Sequence, residues 1–165
     1  MSLFWNKLMQ FDWSELNNQQ VGKYGEYIAK MNFVQNGCDV FGSEVDDRGI
    51  DFVLRVPGSP PRHFDVQVKT VRAANSYVFM HKSKFPLDPY RMLALVRLLP
   101  SVEIYLLPAE IWKSPNRPTC LKDRDYVDKK SKPEWGVNIA LSTWKELEAY
   151  RFSEQIRTIN QTEAA

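Results

Sequence analysis

The chain has 165 residues, 44% of them hydrophobic, with five Trp and a formal net charge of only +2. That length fits one domain with a sizeable core; the composition excludes a disordered chain and a bulk polycation that would hold nucleic acid or an anionic membrane by total charge. Cys38 and Cys120 stand alone, without CxxC spacing or a neighbouring His, which argues against a thiolate zinc site and for reduced thiols.

In chain order, "MSLFWNKLMQ" carries Phe4, Trp5, Leu8 and Met9 on one side of an expected short helix over residues 2–11. It is broken by Asn6 and Lys7, too short for a signal-peptide core, and no run approaches the ~20 apolar residues of a membrane span. A soluble cytoplasmic protein is expected. "DWSE" (Asp12 to Glu15) has capping-box spacing and could open the next helix. Val21, Tyr24, Ile28 and Met31 recur at three- and four-residue steps along that helix, and Asn36-Gly37 supplies its stop. Gly22, Gly25 and Ala29 form a small-residue stripe, fitted either for close helix–sheet packing or for the approach of backbone to a ligand. Strands are then expected at "CDVF", "IDFVLRV", "HFDVQVKTV" and "SYVFMH", followed by the hairpin "MLALVRLL"/"VEIYLL". "PAEIW" reads as a helical turn, residues 114–134 as a long surface loop, and "GVNIAL" as a last strand. Thr143 to Glu146 repeats the capping-box spacing and opens a helix with Trp144, Leu147 and Tyr150. Residues 154–165 read as a polar tail. The whole is a mixed α/β domain over residues 1–153, with a central mixed sheet of four to five strands flanked by helices.

Strand alternation sorts the polar residues. In "HFDVQVK", Phe64, Val66 and Val68 share one face, and His63, Asp65, Gln67 and Lys69 the other. Antiparallel pairing through the "PGSPP" loop would bring Asp51 beside Gln67 and Lys69. Asp51 would supply a hard anionic oxygen for Mg²⁺, and the Gln67 amide carbonyl and the Val68 backbone carbonyl neutral ones. Lys69 would orient or deprotonate the attacking water and offset developing charge, with Glu26 reaching the same edge from the preceding helix. The same alternation equally describes an ordinary half-exposed strand with its polar side in solvent.

"GKYGEYIAKMNFVQNGCDVF", "DDRGIDFVL" and "FDVQVKT", roughly residues 21 to 72, together resemble the core of the PD-(D/E)xK nuclease superfamily. The pairing of "GID" with "QVK" is most similar to its Gln-x-Lys branch, which includes Mrr-type endonucleases. The resemblance implies a restriction-endonuclease-like fold. Asp51 would be the metal-binding aspartate, Gln67 the replacement for the usual glutamate, Lys69 the catalytic lysine and Glu26 the helix glutamate. Ile50 stands where the family has a proline. Gln67 removes one negative charge from the metal site, which leaves two readings: a Mg²⁺-dependent endonuclease (Mn²⁺ as a substitute) using metal-activated water on DNA, or a weakened nucleic-acid-binding module within a larger complex.

Other residues carry less. Asp46, Asp47 and Asp65 are further carboxylates near the site, whereas Glu44 reads as solvent-facing. Lys23, Arg48 and Arg72 flank it as phosphate contacts. No GxxxxGK[ST] or GxGxxG indicates a nucleotide cofactor. Cutting two strands would call for a homodimer, and with no DNA-reading module in the sequence, specificity could come from a partner protein. RNA is an alternative substrate that nothing in the sequence separates from DNA.

Overall fold

The computed structural model describes residues 13–42, 48–73, 76–127 and 130–161; the helix expected over 2–11, and Glu44, Asp46 and Asp47, lie outside the described residues. Trp13–Glu15 form a 3₁₀ turn, not the helix start that "DWSE" implied. The helix α1 (Asn18–Gln35) begins later because Asn17 and Gln20 cap it reciprocally, each side-chain oxygen accepting from the other's backbone N–H at 2.9 Å. Its buried face runs through Val21, Gly25, Ile28, Ala29 and Phe33, whereas Met31, which spacing had placed on that face, is exposed.

The strands are β1 (Asp39–Gly42), β2 (Phe52–Val56), β3 (Arg62–Val71), β4 (Ser76–His81), β5 (Arg91–Arg97), β6 (Glu103–Pro108), β7 (Leu121–Arg124) and β8 (Glu134–Ile139). A five-stranded sheet runs β1-β2-β3-β5-β6, antiparallel except for the parallel β3–β5 pair. This is the mixed central sheet the sequence implied. A second sheet, β4-β8-β7, was not foreseen. Its strand β7 falls inside the expected surface loop, and buried Leu121 pairs with Val137 of β8.

Two cores flank the large sheet. One packs Phe52, Leu54, Val66 and Val68 against Ile28, Ala29 and Phe33 of α1; the other fills the space towards the small sheet with Leu93, Leu95, Met80 and Val137. Strand β5 feeds both cores and is buried throughout, the reason it reads as a continuous apolar run. The expected polar tail is instead, up to Gln161, the helix α2 (Phe152–Gln161), with Phe152, Ile156 and Ile159 buried in the first core. That three-residue stripe at helical spacing is enough to seat an otherwise polar helix. Thr143 precedes a 3₁₀ segment, Trp144–Tyr150, without capping it by its side chain. Cys38 and Cys120 are free and buried; burial raises both thiols, Cys120 to about 11. No helix among the described residues is long and apolar enough to cross a membrane.

One contact sets the height of α1 over β3. A Cβ at Gly25 would lie 1.9 Å from Thr70 Oγ1 and 2.9 Å from Thr70 Cβ, while one at Gly22 would meet nothing within 4 Å. The stripe therefore serves packing at Gly25. In urea titrations, Gly25→Ala is expected to lose about 1–3 kcal/mol by overpacking. Gly22→Ala should gain roughly 0.5–1 kcal/mol by removing a helix glycine.

Candidate active site at the end of strand β2

The β2–β3 hairpin is antiparallel with Phe52 opposite Val66, and Asp51 stands immediately before that last pair. Asp51 is fixed from both ends. Its backbone N–H donates to the Val66 carbonyl at 2.9 Å, and its carboxylate Oδ2 accepts the Val68 N–H at 2.5 Å. A charge-assisted bond of that kind is short and strong, and it replaces the ladder bond that β2 would have made had it continued. Because a strand residue's N–H and C=O project to the same side, the Val68 carbonyl also faces the edge that β2 has vacated.

Gln67 is half-buried, and its Oε1 is buried with no hydrogen-bond partner. The amide nitrogen sits against Gly49, where a Cβ would come within 3.2 Å of Gln67 Nε2 and of the Lys84 carbonyl. Gly49 is buried and has φ +66. Steric room and backbone conformation both demand glycine there, so the turn before Asp51 is shaped to the Gln67 amide. Lys69, two residues on and on the same face, is half-buried, and its side chain makes no hydrogen bond or ion pair among the described residues.

Glu26 approaches from α1. Its carboxylate, with 18% of the side chain exposed, pairs with Lys23 Nζ at 2.6 Å. The hydrogen bond and charge of Glu26 raise the Lys23 pKa above its ordinary value; Asp51 adds to the shift and desolvation opposes it. Lys23 thus feels the charge of both Glu26 and Asp51.

The remaining candidates divide. Arg48 is exposed at the turn. Arg72 is occupied elsewhere: its guanidinium donates to the Trp13 and Leu16 carbonyls and to Asn18 Oδ1, fastening the segment before α1. Asp65 lies on the site face but pairs with Arg91 at 3.6 Å. Arg91 itself escaped sequence reasoning. It is 5% exposed and also donates to the Gly49 carbonyl at 3.3 Å, bracing the turn on which Gln67 rests. A cation heading the apolar run "MLALV" was the available signal, since a lone buried Arg needs a nearby acceptor.

The donor set of one carboxylate, a partnerless amide oxygen and a backbone carbonyl suits a hard divalent cation. Among the described residues no group of three or more His, Cys, Asp or Glu side chains converges, so any cation here would rely on neutral oxygens beside Asp51.

No family model and no curated protein matches the chain. Solved structures do, two among them being nucleases by description. The bacterial homing endonuclease I-Ssp6803I aligns with a TM-score of 0.55 at 17% identity, over 88% of this chain and 95% of that one. Hjc, a Holliday junction resolvase from the archaeal hyperthermophile Archaeoglobus fulgidus, aligns with a TM-score of 0.51 at 10% identity, over 82% of this chain and 95% of that one. The fold is restriction-endonuclease-like.

A buried oxygen without a partner costs stability unless something binds it. In EDTA, Gln67→Leu is therefore expected to match the wild type in urea denaturation or exceed it by about 1–2 kcal/mol. A loss larger than 2 kcal/mol would show that the Gln67 amide is a structural group.

Proposed function

We propose that the protein is a metal-dependent nuclease that hydrolyses phosphodiester bonds in DNA. The observation that carries this reading is a strand end that bears both the Asp51 carboxylate, bonded to Val68 N–H, and a buried Gln67 amide oxygen with no hydrogen-bond partner. The restriction-endonuclease-like fold supports it, because the two similar structures named above are a Holliday junction resolvase and a homing endonuclease.

Asp51, Gln67 Oε1 and the Val68 carbonyl would hold Mg²⁺, with Mn²⁺ as a substitute. A cation bound there supplies a Lewis acid and lowers the pKa of water near the scissile phosphate. Lys69, placed on the same face, contributes an ammonium that stabilises charge developing on the phosphoryl oxygens and orients the attacking water. Glu26, held by Lys23, provides a second carboxylate at the edge to hold water or a further cation. Lys23 and Arg48 are the flanking cations that reach the backbone phosphates. Hydrolysis of both strands of a duplex would require two such sites, which a homodimer provides.

In a plasmid-nicking assay with Mg²⁺ or Mn²⁺, the wild type is expected to convert supercoiled DNA to nicked circles. Asp51→Ala and Lys69→Ala should each lose on the order of a hundredfold in rate or more. Equal backgrounds for all three proteins would overturn the nuclease reading. Salt-dependent DNA binding without cutting would instead identify a binding module of the same fold.

A further inference from the structure

We propose that the outward face of the three-stranded sheet is a stacking platform for single-stranded DNA, with Phe79 as its principal ring; the choice of DNA rests on the nuclease reading above. Alternation along β4 sends Val78 and Met80 inward and Tyr77, Phe79 and His81 outward. The three outward rings form a row. Phe79 stacks with Tyr77 at 6.4 Å between centroids and an interplanar angle of 23°, and meets His81 edge-on at 5.3 Å. Phe79 is 41% exposed, an apolar ring surface held in place on a strand.

The register carries cations onto the same face. Phe79 pairs with Gly136, which pairs with Lys122, and His81 pairs with Glu134, which pairs with Arg124. Directly opposed residues project to the same side of a sheet, so Lys122 and Arg124 line the far edge of the aromatic row. Gly136 keeps the middle of the face free of a side chain, and Tyr77 lies across it; a Cβ there would fall 2.0 Å from Tyr77 Oη. Arg124 covers the Tyr77 ring at 4.5 Å.

Among the described residues, the nearby carboxylates are engaged locally. Glu134 accepts from Tyr77 Oη at 2.7 Å and Tyr126 Oη at 2.8 Å and pairs with Arg124 at 3.9 Å, while Asp123 and Asp125 both hold Lys82. What the face offers a partner is an exposed ring with cations beside it. That pairing of chemistries fits bases on a phosphate backbone, not an apolar protein surface. Bases already paired in a duplex cannot lie flat on Phe79, so the fit is to an unpaired strand. The platform also adjoins the site. The 3₁₀ turn Lys82–Lys84 follows β4 directly, and the Lys84 carbonyl and Cβ pack on Gly49 beside the Gln67 amide.

The test is fluorescence anisotropy on the full chain in EDTA with a labelled oligo-dT of about a dozen nucleotides, the equivalent oligo-rU, and a duplex. Phe79→Ala is expected to weaken oligo-dT binding roughly tenfold, Phe79→Tyr to keep it, and duplex binding to stay unchanged, with all melting temperatures equal. Three results would each overturn the platform: no oligo-dT binding by the wild type, wild-type affinity in Phe79→Ala, or Phe79-dependent binding of oligo-rU alone. The nuclease reading is separable. A protein that nicks plasmid but ignores Phe79→Ala refutes only the platform, and Phe79-dependent binding without nicking refutes only the nuclease.

Discussion

The site hangs on the bond between the Asp51 carboxylate and the Val68 backbone N–H. Strand β2 begins at Phe52 while β3 runs on for several residues past the paired region, and the N–H groups of a strand that outlasts its neighbour must find acceptors. Asp51 meets that demand with an anionic side chain at the position where the ladder stops. The same act fixes the Asp51 carboxylate at the head of β2 and leaves the Val68 carbonyl facing the open edge. One residue thus terminates the sheet and, in the function proposed, would also supply an oxygen ligand.

Everything else at the edge is arranged around that hairpin. Gly49, with its positive φ, lets the incoming chain lie on the Gln67 amide, and Arg91 braces the Gly49 carbonyl from beneath while pairing with Asp65. From the other side of the sheet, the close approach of Gly25 to Thr70 fixes where Glu26 arrives. A buried arginine, a glycine turn and a helix contact thus constrain three side chains whose sequence positions span more than forty residues. In the function proposed, the neutral Gln67 would avoid the repulsion of a second carboxylate near Asp51, at the expense of weaker cation binding.

Much of this was legible in the sequence because β2 and β3 alternate cleanly: Phe52, Leu54, Val66 and Val68 are buried as their period demands. The β5–β6 hairpin was equally plain, since both strands are apolar runs. What escaped reading depended on long-range partners. Strand β7 is "LKDR", with little strand propensity of its own, and exists through pairing with β8. Helix α2 looked like a tail because only Phe152, Ile156 and Ile159 bury within a polar stretch. The start of α1 was misplaced because two cap-like signals compete, and the reciprocal bonds of Asn17 and Gln20 prevail over "DWSE". Arg72, read as a phosphate contact, is drawn to backbone carbonyls that no local pattern reveals.

The central claim is that Asp51, Gln67 and the Val68 carbonyl form one cation site. Anomalous diffraction from a crystal soaked in Mn²⁺ tests it most directly. The account predicts a peak between the Asp51 carboxylate and Gln67 Oε1, within oxygen-ligand distance of the Val68 carbonyl, roughly 2.0–2.6 Å for hard divalent cations. An empty edge at saturating Mn²⁺, or a Gln67 amide that turns its nitrogen towards Asp51, would contradict it.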